Sequence, residues 1–229
     1  MGRGAWWWAS ACVALACLCG TTQSRIVSLE DFGAVPDEPE SNLTNTKAFN
    51  DAISAAEPGD TILIPGGKTF YLIGGVVGAN LTNVSIAFEG DIRAVPDLDL
   101  WPQTDDDGYV DLIALTSCKD LHITGPGTID GQGKTWWNQC LIGKISYGSR
   151  PSLLSVYYSS DVSVIGLDLV NGPRFHLWLQ QNERVEVGFV NVTVDREEVR
   201  AVKRAMQEQM RAEAEAEAES ESESKLEFA

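Results

Sequence analysis

The sequence predicts an all-β protein built as a parallel β-helix, and three observations carry that prediction. Leu112–Gly125 (LIALTSCKDLHITG) recurs as Leu153–Gly166 (LLSVYYSSDVSVIG) 41 positions on, and again as His176–Phe189 (HLWLQQNERVEVGF) after a further 23. Each copy holds two short alternating apolar runs, such as Leu153, Leu154 and Val156, then Val162, Val164 and Leu167, around a polar corner. Such alternation marks strands with one face buried. The 23-residue interval fits one turn of a solenoid, whereas a propeller blade of four strands needs about 40 residues.

Taken along the chain, the elements support this reading. Residues 1–24 hold one charge, Arg3, then the apolar run Ala5–Cys19 and a small polar stretch. That is the layout of a secretory signal peptide, with the cut open between sites ending at Thr22 or Ser24. The run is shorter than the roughly 20 residues of a membrane span, so no stable membrane anchor is expected. A secreted, extracellular protein follows. Asn45–Ala56 has apolar residues at Ala48, Phe49, Ala52, Ile53 and Ala56, the stripe of an amphipathic helix with Asn45 or Thr46 as N-cap. Such a helix covers the open N-terminal end of a solenoid. Pro58-Gly59-Asp60 ends it, the strand Thr61–Ile64 follows, and Asn80–Gly90 (NLTNVSIAFEG) echoes the second half of the repeat. The 41-residue interval is one coil with an inserted loop, Gly131–Arg150.

Composition limits partners. The 229 residues include 33 acids and 17 bases, a net charge of −16, so nothing supplies a basic field for nucleic acid or anionic membranes. Without the signal segment, Cys118 and Cys140 remain, either as a disulfide or as two separate buried thiols. With two histidines, His122 and His176, and no C-x-x-C, no metal site is expected. Sequons at Asn42, Asn80, Asn83 and Asn191 are candidate N-glycosylation sites.

Asp31-Phe32-Gly33-Ala34, Pro58-Gly59-Asp60-Thr61, the run Gly125-Pro126-Gly127-Thr128-Ile129-Asp130-Gly131-Gln132-Gly133 with Trp136-Trp137, and Asn171-Gly172-Pro173 before His176 resemble the polygalacturonases of glycoside hydrolase family 28 over about Ile26–Asp195. The resemblance implies a right-handed parallel β-helix (a pectin-lyase-like solenoid) and a secreted, cofactor-free enzyme, monomeric if folded. It further implies inverting hydrolysis of α-1,4-galacturonosyl linkages in an acidic polysaccharide, pectin or polygalacturonate. In that chemistry one carboxylic acid protonates the leaving oxygen and a second carboxylate activates water. The family's N-T-D-G, following Asp pair, G-H-G and R-I-K lie beyond the coil ending near Asp195, and none occurs here. No catalytic residue is therefore assigned. A calcium-dependent pectate lyase is a third reading, against which Trp136-Trp137 argues.

Other acidic groups read as structural. Asp105-Asp106-Asp107-Gly108 is a surface loop, and Asp130 a turn residue bonding nearby backbone. His176 and Trp178 alternate on one strand, with Arg174 just before it, so an Arg for a carboxylate and an aromatic for a sugar face are candidate binding residues. The competing reading packs them within the solenoid.

After Asp195 the composition changes to a Glu/Ala/Ser-rich tail, 196–229, without Gly or Pro. Its first part, Glu197–Arg211, carries a thin stripe at Val199, Val202, Met206 and Met210, while the alternation beyond Ala212 reads as solvated and disordered. Two explanations compete for this break. Either the solenoid is truncated by a misread gene boundary, or the protein is short and its tail helix covers the last coil. Two functions follow: a pectin-type glycosidase represented by its N-terminal half, inactive as it stands, or a non-catalytic secreted β-helix that binds polysaccharide or protein. Either way, an uncovered last coil is expected to promote aggregation.

Overall fold

The computed structural model describes residues 24–227, so the signal segment lies, apart from Ser24, outside the described residues. Among these, no helix is long and apolar enough to cross a membrane. The first coil and its cover comprise β1 (Ile26–Ser28), α1 (Asn42–Ala55), β2 (Thr61–Ile64) and β3 (Thr69–Leu72). Four further coils follow. They are β4 (Val76–Ala79), β5 (Thr82–Phe88) and β6 (Asp91–Ala94); β7 (Ile113–Thr116), β8 (Lys119–Thr124) and β9 (Thr128–Asp130); β10 (Leu154–Tyr157), β11 (Ser160–Ile165) and β12 (Asp168–Val170); and β13 (Leu177–Gln180), β14 (Glu183–Gly188) and β15 (Asn191–Thr193). The helix α2 (Gly133–Leu141) lies in the predicted insertion, and α3 (Arg196–Glu227) follows the last strand.

All pairings among these strands are parallel, in three sheets ordered β1-β2-β5-β8-β11-β14, β13-β10-β7-β4 and β15-β12-β9-β6-β3. This is the predicted parallel β-helix. Register follows the sequence repeat, with Ile113 opposite Leu154 and Leu154 opposite Leu177. Alternation places Leu121, Ile123, Val162 and Val164 in the core, while His122 and Ser163 face outward.

Corners recur with the same geometry. Asn80 and Asn83, Ser117 and Asp120, Tyr158 and Asp161, and Gln181 and Arg184 all take left-handed backbone conformations at equivalent positions. Two such residues per corner turn the chain from one sheet into the next without a hairpin. Between them one side chain points inward. Ser159 Oγ accepts the Cys118 N–H (2.9 Å), and Asn182 Oδ1 accepts that of Ser159 (2.8 Å). These two corners therefore each satisfy a buried backbone donor of the coil before.

Helix α1 covers the N-terminal end with Ala48, Phe49, Ala52 and Ile53, as expected, but starts at Asn42, after a short helical turn at Pro39–Ser41. Asn45 and Thr46 are not caps. They sit inside the helix and bond the backbone of the first coil. Asn45 Oδ1 accepts the Val35 N–H (2.7 Å) and its amide donates to Tyr71 O (3.1 Å). Thr46 Oγ1 accepts the Ile73 N–H (3.1 Å), and Asn50 bridges Gly75 O and the Val77 N–H. Strands β3 and β4 are the outermost of their sheets. The helix thus satisfies edge groups as well as covering the core, a job a water-exposed cap would leave undone.

The same end holds a buried charge. Asp60 is 3% exposed and accepts from the Arg25 side chain (2.5 Å) and from the Glu57 N–H (2.9 Å). The hydrogen bonds from Arg25 hold its carboxyl at about 2, against the opposing cost of burial. A carboxylate whose folded pKa is depressed stabilises the fold above its unfolded pKa of about 4. We therefore expect stability to fall as pH drops from about 4 through 2. In urea melts at stepped pH, Asp60→Asn should be less stable at neutral pH and show a flatter slope across this window. An unchanged slope would contradict the assignment.

At the other end α3 does not cover the coil. Val202 on α3 is buried beside Trp137, Cys140 and Leu141 of α2 and Tyr147 and Arg150 of the insertion. Val187 and Val192 of the last coil remain 48% and 55% exposed. The tail stripe has an apolar partner on α2, and packing there leaves the strand edges free. Beyond Ala212 the structure also departs from the expected disorder, with α3 continuing to Glu227. Ala and Glu are strong helix formers, and Arg211 pairs with Glu215 one turn on (2.8 Å).

Candidate functional site

The insertion meets the turn that leads into β13, where the Trp137 indole N–H donates to the Gly172 carbonyl (3.3 Å). The insertion is held there by aromatic packing. Trp136 is fully buried, with its ring edge-on to Trp101 (5.0 Å between centroids) and to Tyr109 (4.8 Å). Past α2, Arg150 stacks on the Tyr147 ring (4.4 Å). This brings Gly148 to Arg174, whose Nη1 donates to the Gly148 carbonyl (2.9 Å).

Around Arg174 the structure assembles a cationic and aromatic cluster. The guanidinium carbon lies 4.9 Å from the Phe175 ring and 5.8 Å from that of Trp178, and these rings are 4.3 Å apart at 42°. Arg174 Nε is buried and has no hydrogen-bond partner among the described residues. On the neighbouring strand, Tyr157 donates its hydroxyl to Asp111 Oδ2 (2.8 Å), while Asp111 Oδ1 accepts the Ser152 N–H (2.7 Å). Burial pushes the Tyr157 hydroxyl up to about 12, Asp111 adds to this, and the charge of Arg174 opposes it. Tyr157 stays protonated, as a fixed hydroxyl.

Arg174 and Trp178 thus come together as the sequence predicts, and His176 does not join them. Strand alternation begins only at Leu177, and the His176 ring turns back onto the Gly172 turn, where Nε2 accepts the Gly172 N–H (3.0 Å). Burial pushes its pKa down, so the ring is a neutral structural acceptor. Tyr157, Asp111 and Phe175 were missed from sequence. Tyr157 could have been found, because the repeat aligns it with Gln180, two positions beyond Trp178. The approach of Gly148 to Arg174 had no sequence signal.

The remaining candidates separate. Cys118 and Cys140 are free thiols. Cys118 occupies an inner corner position, where burial raises its pKa, whereas Cys140 sits on α2 toward α3. The different elements to which they are committed leave the disulfide reading unmet in this structure. Asn80, Asn83 and Asn191 are exposed. Asn42 is buried and donates to Pro39 O (2.8 Å), which removes it from reach of a glycan. Asp105, Asp106 and Asp107 lie on an exposed loop. Asp130 accepts the Gln132 N–H (3.1 Å) and faces Arg93 (3.4 Å), as a turn residue would. Among the described residues no group of three or more metal-ligating side chains converges.

Comparison with known proteins decides the family. The model of the glycosyl hydrolases family 28 matches residues 57–201. The chain belongs to that family. A probable polygalacturonase of Vitis vinifera is 33% identical over 173 residues, covering 68% of this chain and 34% of that protein. A polygalacturonase of Chamaecyparis obtusa is 30% identical over 182 residues, covering 76% and 34%. The crystal structure of endo-xylogalacturonan hydrolase from Aspergillus tubingensis shares the fold, with a TM-score of 0.61 at 22% identity over 74% of this chain and 43% of that one. This family 28 chain thus spans about a third of the length of the relatives it matches.

Proposed function

We propose that this family 28 chain supplies the N-terminal coils of a secreted polygalacturonase-type glycosidase and contributes a binding surface for an acidic, pectin-type polysaccharide. The hydrolysis of α-1,4-galacturonosyl linkages belongs to motifs this sequence lacks, so the chain alone binds without cleaving. The single observation that carries the binding reading is Arg174, a guanidinium beside the Phe175 and Trp178 rings whose buried Nε has no hydrogen-bond partner among the described residues. A planar guanidinium suits a uronate carboxylate, and the aromatic pair suits a sugar face.

The field around the site opposes this reading. Residues 25–195 carry ten bases and 23 acids, which repel a polyanion at long range, so affinity must come from local contacts. Titration calorimetry with a defined oligogalacturonate tests it. Arg174→Ala should weaken binding by about 10- to 100-fold, the range expected for a hydrogen bond to a charged group. Absence of binding at millimolar ligand would overturn the surface. Release of reducing ends by this chain alone would overturn the division between binding and catalysis.

A further inference from the structure

On a different sheet, the face of β8 and β11 carries an arrangement that the Arg174 surface does not use. We propose that Asp120, His122 and Ser163 form a nucleophilic centre able to take the acyl group of a small, neutral ester. His122 and Ser163 are direct register partners on adjacent parallel strands. His122 Nδ1 lies 2.7 Å from Ser163 Oγ, and its Nε2 lies 3.1 Å from Asp120 Oδ1. Asp120 stands two residues before His122 and so shares its face, at a corner where its backbone is left-handed (φ 55°).

The order of the three groups fixes the proton. A carboxylate only accepts, so Asp120 holds the ring proton on Nε2 and leaves Nδ1 as the acceptor facing the serine hydroxyl. In the first step Ser163 Oγ bonds to the ester carbonyl carbon while His122 Nδ1 takes the hydroxyl proton. Collapse of the tetrahedral adduct breaks the ester C–O bond, and the departing alkoxide takes that proton as it leaves as the alcohol. Water then attacks the acyl-serine with the same base, releasing the acid and restoring Ser163. Asp120 is a positioning residue, because it acts through the imidazole.

The surroundings select the substrate class. Glu186 is opposite Ser163 on the next strand, and Asp161 and Glu183 both engage Arg184 nearby. Anionic esters are therefore repelled. His122 and Asp120 are 42% and 47% exposed on an open sheet, which gives no walls for a bulky acyl chain. Backbone N–H groups of β8 and β11 are committed to the sheet, so the strands themselves offer no backbone oxyanion hole beside Ser163. The acceleration supplied by the base is then about 10²-fold, the lower end for a positioned general base.

p-Nitrophenyl acetate is the probe. The intact chain should release a burst of one equivalent of nitrophenolate, with an acetyl group found by mass spectrometry on the peptide holding Ser163. Ser163→Ala, close in shape and placed on the outer face, should abolish both. His122→Gln should slow acylation about 10²-fold. Asp120→Asn should slow it while leaving the burst amplitude unchanged, which a merely structural role would not do. A burst that persists in Ser163→Ala, or acetylation confined to lysines, overturns the proposal. As an independent arm, an organophosphonate fluoride should label Ser163 in the wild-type chain; failure to label it counts equally against the centre.

Discussion

Trp136→Ala is expected to cost about 4 kcal/mol, within the range for removing a fully buried large aromatic. Trp136 is the largest fully buried side chain among the described residues, and it packs edge-on against Trp101 and Tyr109. Those two residues come from the loop before β7, whereas Trp136 lies in the insertion after β9. Its removal therefore opens a cavity where the two segments pack against each other. Trp101 is itself fixed, since its indole N–H donates to Val110 O (2.8 Å) and a Cβ on Gly74 would meet the ring at 2.1 Å. It cannot slide in to fill the gap. Denaturant melts should show the loss, while Trp136→Phe, which keeps an aromatic and whose missing indole N–H has no partner among the described residues, should cost far less. A loss below about 1 kcal/mol for the alanine variant would mean that the site collapses without strain. Because the insertion carries Gly148 to Arg174, the same variant should also weaken oligogalacturonate binding.

Gly127→Ala should be at least as damaging, at 4 kcal/mol or more, the tail of the distribution reserved for named steric or burial faults. A Cβ at Gly127 would lie 2.2 Å from the Gly90 carbonyl oxygen and 2.6 Å from that of Phe88. Both are backbone atoms of the coil before, and the Gly127 N–H already donates to Phe88 O (2.8 Å). No rotamer change relieves that clash, so the coils would have to part, breaking the pairing of β6 with β9. Gly188→Ala provides the control, since no atom lies within 4 Å of its added Cβ. Similar melting midpoints for the two variants would show that the coil spacing yields more readily than close packing allows.

Particular elements show what could be read beforehand. The 41- and 23-residue repeats became the strand registers, because a coil stacks only where its inward apolar residues meet those of the coil before. The helix over Ala48, Phe49, Ala52 and Ile53 was legible for the same reason, as its stripe has one place to go. Its start was not, because Asn45 and Thr46 answer strand edges remote in sequence. Trp178 was legible from alternation and Arg174 from its neighbourhood, while His176 failed because a turn, not a strand, sets its direction. The destination of α3 stayed open in the sequence, since two apolar surfaces competed for one stripe and the sequence does not rank them.

The sequence by itself determined the family, the parallel coils, their register and the inward-facing rows, all of which follow from local periodicity and stacking of like on like. Only the tertiary structure decided which polar side chains converge. Arg174 meets Gly148 from an insertion 26 residues earlier, and His122 meets Ser163 one coil away. Such encounters depend on how far each coil advances and where each loop folds back, quantities set by packing of the whole solenoid rather than by any segment of it.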